Sequence, residues 1–332
     1  MGYKCLYFRN GEIIYMRRVL IINHSVANCG IYQFGKRLYD IIKKSSRVDY
    51  TYAEVNSFDE YITWQRLIDP DFTLFNWYHT TMGWLPPDLN IISRSKHYFV
   101  FHERPVRQYY DKYLFFGENC PTNGVIDSVN QVVPEKCIGL PRPLFEYRNM
   151  HPKNKIPTIG SFGFVSSWNK GFDTITTMVN REFDNAVLNL HMSWSPFCDP
   201  KKEMVYQMAD KCRSLNTKPG ITLNITHDLV NNTEMLDFLA KNDVNVFLYK
   251  DSPQYGLSSA TDYALSVQRP IAIDGSIPFR HIIKDDININ KRSLREIMSY
   301  GTAPLEEYCE KWSSDKLRSD LEELFINEQI AN

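Results

Sequence analysis

At two places in this chain an apolar run gives way, through a glycine-bearing loop, to a helical pattern. In the first, residues 158–162 read as a strand with Gly163 at its exit. A loop then reaches Lys170 and Gly171, and 172–183 carry helical spacing. In the second, the apolar run 244–250 leads through Gln254, Tyr255 and Gly256 to Ser258 and Ser259. A helix carrying Asp262 opens there. A helix start offers unpaired backbone N–H groups and a partial positive charge. Each loop therefore suits an anion such as a phosphate, and Lys170 would add a point charge. Asp262 offers paired acceptors to a diol. With Ser259 three residues before it, Asp262 also fits a capping box, so both roles stay open.

Further candidates stand at the ends of other apolar runs. Gly30 lies in the loop after 19–23, where a glycine lets backbone approach a ligand closely. His102 closes the run 97–102, and Glu103, Arg104 and Arg107 follow it along the same edge. His227 and Asp228 follow the run 221–226. Each also has a plain structural reading, as a loop glycine, a capping or core histidine, or surface polar groups. No set of His, Cys, Asp and Glu has metal-ligand spacing, and no Gly-x-Gly-x-x-Gly follows a strand.

The elements that must position these residues alternate. A hairpin is expected over 3–18, turning at Asn10-Gly11. Strands are expected at 19–23, 50–55, 72–77, 97–102, 113–116 and 131–133, with helices after Gly30 and at 58–67. The stretch 138–157 holds four prolines and little periodicity, and reads as an interdomain connection. Beyond it, strands at 158–162, 186–191, 221–226, 244–248 and 271–273 alternate with helices at 172–183, 202–215, 233–241, 259–267 and 294–300. Such β-α alternation implies parallel sheets covered by helices, a doubly wound α/β architecture. One last helix is expected from 305 to 327.

At 332 residues the chain suits two domains. Basic and acidic residues number 38 and 39, a net charge of -1, which argues against a nucleic-acid partner. The seven cysteines are an odd number without Cys-x-x-Cys spacing, which points to reduced thiols. No apolar run reaches the roughly 20 residues of a spanning helix, and the start lacks signal-peptide features. A cytoplasmic protein is expected, with peripheral contact to the cytoplasmic face of a membrane as a further option.

The two strand–loop–helix motifs, in this order, resemble the donor half of nucleotide-sugar glycosyltransferases of the GT-B fold, in particular the retaining family-4 group. That family carries Gly-Arg, five residues, then Lys-Gly; here Gly163-Phe164, five residues, then Lys170-Gly171 stand in that pattern, without the arginine. Its two glutamates eight positions apart correspond in spacing to Gln254 and Asp262. The resemblance implies two Rossmann-like domains facing a cleft: an acceptor-side domain over 1–150, with a helix from 305–332 crossing back to it, and a donor domain over 151–304. It implies glycosyl transfer in glycan biosynthesis, from a nucleotide-diphosphate sugar to a glycan or lipid-linked acceptor, with retention of configuration and no metal or other cofactor. Lys170, Gly163, Tyr255, Gly256, Ser258, Ser259, Asp262 and Gly30 would hold the donor, and His227 and Asp228 would border its base. His102 and Gln254 would face the transferred sugar, and Glu103, Arg104 and Arg107 the acceptor. An epimerase of the same fold and a non-catalytic sugar-nucleotide binder are the alternatives; the latter is motivated by Phe164 and Gln254.

Overall fold

Val19-Leu20-Ile21-Ile22 is apolar on both faces, the composition of a strand buried from two sides. It forms the centre of β3 (Arg17–Asn23), which is flanked on both sides in a six-stranded parallel sheet. A computed structural model describes residues 6–9, 12–86, 95–100, 102, 112–117, 137–165, 170–194, 199–228, 230–250 and 256–328. The chain divides into two compact units, Met1–Pro143 with Trp312–Asn332, and Leu144–Lys311.

In the first unit, β1 (Leu6–Arg9) and β2 (Glu12–Tyr15) pair antiparallel, Arg9 opposite Glu12, as the hairpin reading expects. The sheet then runs β4 (Val48–Glu54), β3, β5 (Phe72–Phe75), β6 (Lys96–Val100), β7 (Lys112–Phe116) and β8 (Cys137–Leu140). Helix α1 (Gly30–Ile42) buries Phe34, Leu38, Ile41 and Ile42, at the spacing of one helical face. Helix α2 (Phe58–Ile68) is capped by Ser57 and stopped at Asp69 in the left-handed conformation. The sequence passes from β3 through α1 to β4 on one side, then to β5 on the other. The order reverses between β3 and β5.

In the second unit the order is β11 (Ile221–Thr226), β10 (Ala186–Ser193), β9 (Thr158–Phe164), β12 (Val244–Phe247), β13 (Ile271–Ile273), all parallel. Its helices include α3 (Phe172–Glu182), α4 (Glu203–Leu215), α5 (Asn232–Ala240), α6 (Ala260–Ser266), α7 (Leu294–Tyr300) and α8 (Glu306–Lys311). Here the order reverses between β9 and β12.

The structure departs from the sequence reading in three places. β8 lies where the connection was expected to begin. Its four residues sit directly before Pro141 and Pro143, and the prolines hide a short edge strand. Residues 144–150 belong with the second unit: Phe145 N–H donates to Ser266 Oγ at 2.8 Å, and Asn149 Nδ2 to Val267 O at 2.8 Å. The single helix expected over 305–327 is two, α8 and α9 (Ser314–Asn327), broken at Trp312-Ser313. Ser313 caps the second by accepting from Lys316 N–H at 3.2 Å. Only α9 joins the first unit, where Leu317, Leu321 and Phe325 enter its core and Phe325 packs against Tyr50, Phe72 and Tyr98. The expected strand 131–133 and the turn residues Asn10 and Gly11 lie outside the described residues.

Candidate functional site

In an open α/β sheet the ligand crevice lies outside the carboxyl ends of the strands, where the strand order reverses. In the second unit that is the exit of β9 and β12. Gly171 makes the approach close. It is the N-cap of α3 at φ +60, and a Cβ there would stand 2.7 Å from Leu248 O, just past β12. Only glycine fits both the conformation and the space.

Lys170 stands one residue before, with its ammonium 3.6 Å from the centre of the Tyr249 ring. Such a cation–π contact contributes roughly 0.5–2 kcal/mol, and among the described residues no carboxylate pairs with Lys170. Gly163 faces the lysine stem; a Cβ there would be 3.5 Å from its Cδ, an ordinary contact. Tyr249 is itself pinned. Its hydroxyl shares a 2.7 Å hydrogen bond with Ser258 Oγ, its N–H donates to Asp274 Oδ2 at 2.7 Å, and its ring packs on Phe279. The next lysine, Lys250, is 3.6 Å from Asp173, which also receives Lys211 Nζ at 2.6 Å. Burial raises the Asp173 pKa, but the Lys211 bond and the Lys250 charge outweigh it, and the carboxyl is held below its ordinary value.

The structure thus brings Gly163, Lys170 and Ser258 together around Tyr249. Sequence reasoning missed Tyr249 and Asp274. Both directly follow apolar strand runs, the same signal that singled out His102. The Ser258 N–H donates to Pro278 O at 2.9 Å, so it is spent within the fold. Ser259 is the N-cap of α6 and makes no side-chain cap bond. Asp262 is completely buried, and Gly256 half-buried. Gln254 and Tyr255 lie outside the described residues, as do Glu103, Arg104 and Arg107.

His227 and Asp228 line a separate pocket of about 210 Å³ at the ends of β10 and β11, with Trp194, Lys202, Val205 and Tyr206. Tyr206 meets the His227 ring edge-on at 5.3 Å, and Lys202 Nζ lies 4.9 Å from the Trp194 ring centre. His227 Nδ1 donates to Met192 O at 3.2 Å. The walls suit a flat aromatic group, and the volume is below that of drug-sized pockets.

In the first unit the reversal point holds Asn23, which ends β3, and Asn76, which follows β5. His102 Nε2 is 2.7 Å from Asn76 Oδ1. Asn76 Nδ2 donates to Ile31 O at 2.7 Å, in the first turn of α1 that Gly30 opens. Asn76 therefore links His102 to Ile31, the residue after Gly30. His24 is fully buried, and burial lowers its pKa to about 4 despite Glu54. Burial, then the charges of Arg142 and His24, lower that of His102 to about 3. Among the described residues no cluster of three His, Cys, Asp or Glu side chains is placed to hold a metal, and no helix is long and apolar enough to cross a membrane.

No protein-family model and no curated protein sequence matches the chain. Solved structures do. HepE of Anabaena in complex with UDP-glucose superimposes with a TM-score of 0.65 at 8% identity, over 94% of this chain and 100% of that one. An α-glucosyltransferase in complex with UDP gives 0.55 at 14% identity, over 94% and 100%. The trehalose-6-phosphate synthase OtsA gives 0.61 at 8%, over 93% and 98%. At such identities the likeness speaks for the fold: the chain has the α/β fold of the GT-B glycosyltransferases, built on two parallel sheets.

Proposed function

We propose that the protein is a glycosyltransferase. It takes a sugar from a nucleoside-diphosphate donor held on the second unit and passes it, with retention of configuration, to a hydroxyl of a glycan or lipid-linked acceptor. The observation that carries this reading is Lys170, a cation without a described carboxylate partner at the point where the second sheet reverses its order. Ligands of open α/β sheets sit at that point, and a diphosphate leaving group develops charge that a fixed cation stabilises. The pocket beside His227 and Asp228 lies on the same carboxyl edge and has aromatic walls that suit a nucleobase. Uracil is the first base to test, because HepE and the α-glucosyltransferase are complexes with UDP or its sugar.

In this mechanism the chain does its work by positioning and by charge. Lys170 neutralises the departing diphosphate, and Tyr249 holds the lysine head at the crevice. Gly163 leaves room beside the lysine stem. Asp262 and Ser259 stay proposed donor contacts, Gln254 and His102 proposed sugar contacts, and Glu103, Arg104 and Arg107 proposed acceptor contacts. Phe164, at the family arginine's place, supports a second reading as a binder without catalysis. Calorimetry with UDP and a panel of nucleotide sugars tests the first claim; binding of none of them sinks it. Release of free sugar and UDP from a bound donor, absent acceptor, separates the enzyme from the binder.

A further inference from the structure

The two asparagines at the reversal point of the first sheet decide where a proton sits. A backbone carbonyl can only accept. Asn76 Nδ2 faces Ile31 O at 2.7 Å and Asn23 Nδ2 faces Tyr32 O at 3.0 Å, so both amides can be oriented only one way. Asn76 Nδ2 also donates to Asn23 Oδ1 at 2.9 Å, and that oxygen receives His24 N–H at 2.9 Å. The atom that Asn76 turns toward His102 is then its oxygen, an acceptor. The imidazole nitrogen 2.7 Å away must carry the hydrogen.

The fold gives up helix stability to keep this arrangement. Gly35 stands inside α1, where glycine costs about 1 kcal/mol relative to alanine. A Cβ at that position would lie 2.4 Å from Asn76 Nδ2 and 2.8 Å from Asn23 Nδ2. The missing side chain is the space that the amides occupy.

We propose that Asn76 is a positioning residue: it holds His102 as the Nε2–H tautomer, so that Nδ1 is a bare acceptor for a ligand hydroxyl and not a donor to a phosphate. The hydroxyl's assignment to a sugar rests on the glycosyltransferase reading; the tautomer does not. Among the described residues, the groups facing His102 besides Asn76 include the Phe34 ring edge-on at 5.0 Å, Arg142 from the segment after β8, and His24 from the loop after β3. Of these, Arg142 and His24 are charged or titratable: the Arg142 charge opposes a positive imidazole, and His24 would do so only once protonated itself. The neutral ring therefore persists at neutral pH.

Long-range proton–nitrogen correlation spectra of the full-length 15N-labelled protein at pH 7 test this with no donor present. The His102 signals are identified by their loss in His102→Gln. The wild type should show the Nε2–H pattern alone. Asn76→Leu removes the acceptor, and the tautomer ratio should fall by about tenfold, the size of one hydrogen bond. Gly35→Ala, which pushes the amide away without removing it, should shift the ratio in the same direction and serves if the leucine variant does not fold. An Nδ1–H or charged ring in the wild type would overturn the proposal. So would an unchanged ratio in a folded variant. Because the experiment contains no nucleotide sugar, its failure is separate from failure of the proposed reaction.

Discussion

Acidifying the protein from pH 7.5 to pH 5 should weaken the first unit through two histidines. His24 and His102 have pKa values lowered from 6.5 to about 4 and about 3. In the unfolded chain each would protonate near 6.5; in the folded unit each stays neutral. The unfolded state therefore binds more protons below 6.5, and stability falls with pH. The contribution is intact above 6.5 and is lost progressively toward the depressed values. At pH 5 the loss spans about 1.5 pH units, or about 2 kcal/mol for buried His24 and no more than that for His102, at about 1.36 kcal/mol per unit. The lowered carboxyls Asp173 and Asp237 lose their contributions only as pH falls further, below the ordinary carboxylate range, so the window from 6.5 to 5 belongs to histidine. Hydrogen exchange of β3 and α1 peptides reads the unit's opening free energy at each pH. His24→Gln with His102→Gln should flatten the pH dependence by about 2–4 kcal/mol, whatever its offset at pH 7.5. Equal slopes in wild type and double variant would refute the reasoning.

Lys170→Ala should lower UDP affinity about tenfold in calorimetry, the worth of a charge-assisted hydrogen bond, while the melting temperature stays within a few degrees. Lys250→Ala should lower it less, about threefold, because that lysine is half-exposed and already shared with Asp173. Gly163→Ala should fold normally, since its Cβ meets the Lys170 stem at 3.5 Å, yet weaken UDP binding if the glycine serves ligand approach. Gly171→Ala should destabilise by about 1–3 kcal/mol in urea titrations, because φ is +60 and the Cβ would meet Leu248 O at 2.7 Å.

The strand–helix alternation was legible because buried parallel strands are short apolar runs, and Val19 to Ile22 or Val244 to Phe247 allow little else. β8 was not legible, because a four-residue edge strand beside two prolines carries no periodic signal. The break at Ser313 was readable in principle: a serine that caps at N3 is a helix start, but the apolar spacing on either side masked it. Lys170 could be found because its partners Gly163 and Gly171 are near in sequence. Tyr249 and Asp274 stand just after apolar runs and carried a positional signal, but what they do, and that Asn76 matters at all, depends on which strands are neighbours. Asn76 matters because β5 lies beside β3, which brings it to Asn23, 53 positions away in sequence.

The absence of arginine at Phe164 is less damaging once charges are counted where the structure puts them. Lys211 and Lys250 share one carboxylate, Asp173, in the first turn of α3. That trio leaves one positive charge in surplus. Its Lys250 directly follows Tyr249 in the chain, the residue on whose ring Lys170 lies. In the proposed reaction, a diphosphate at the exit of β9 and β12 would meet the Lys170 charge, and the surplus carried by the neighbouring lysines would add to it. Because the lowered pKa of Asp173 keeps the carboxylate ionised through neutral pH, the surplus is one charge and does not grow to two. A cationic clamp can thus be assembled from residues distant in sequence. A pattern written along the chain registers only the missing arginine, whereas the two lysines that flank Asp173 come from α4 and from the segment after β12.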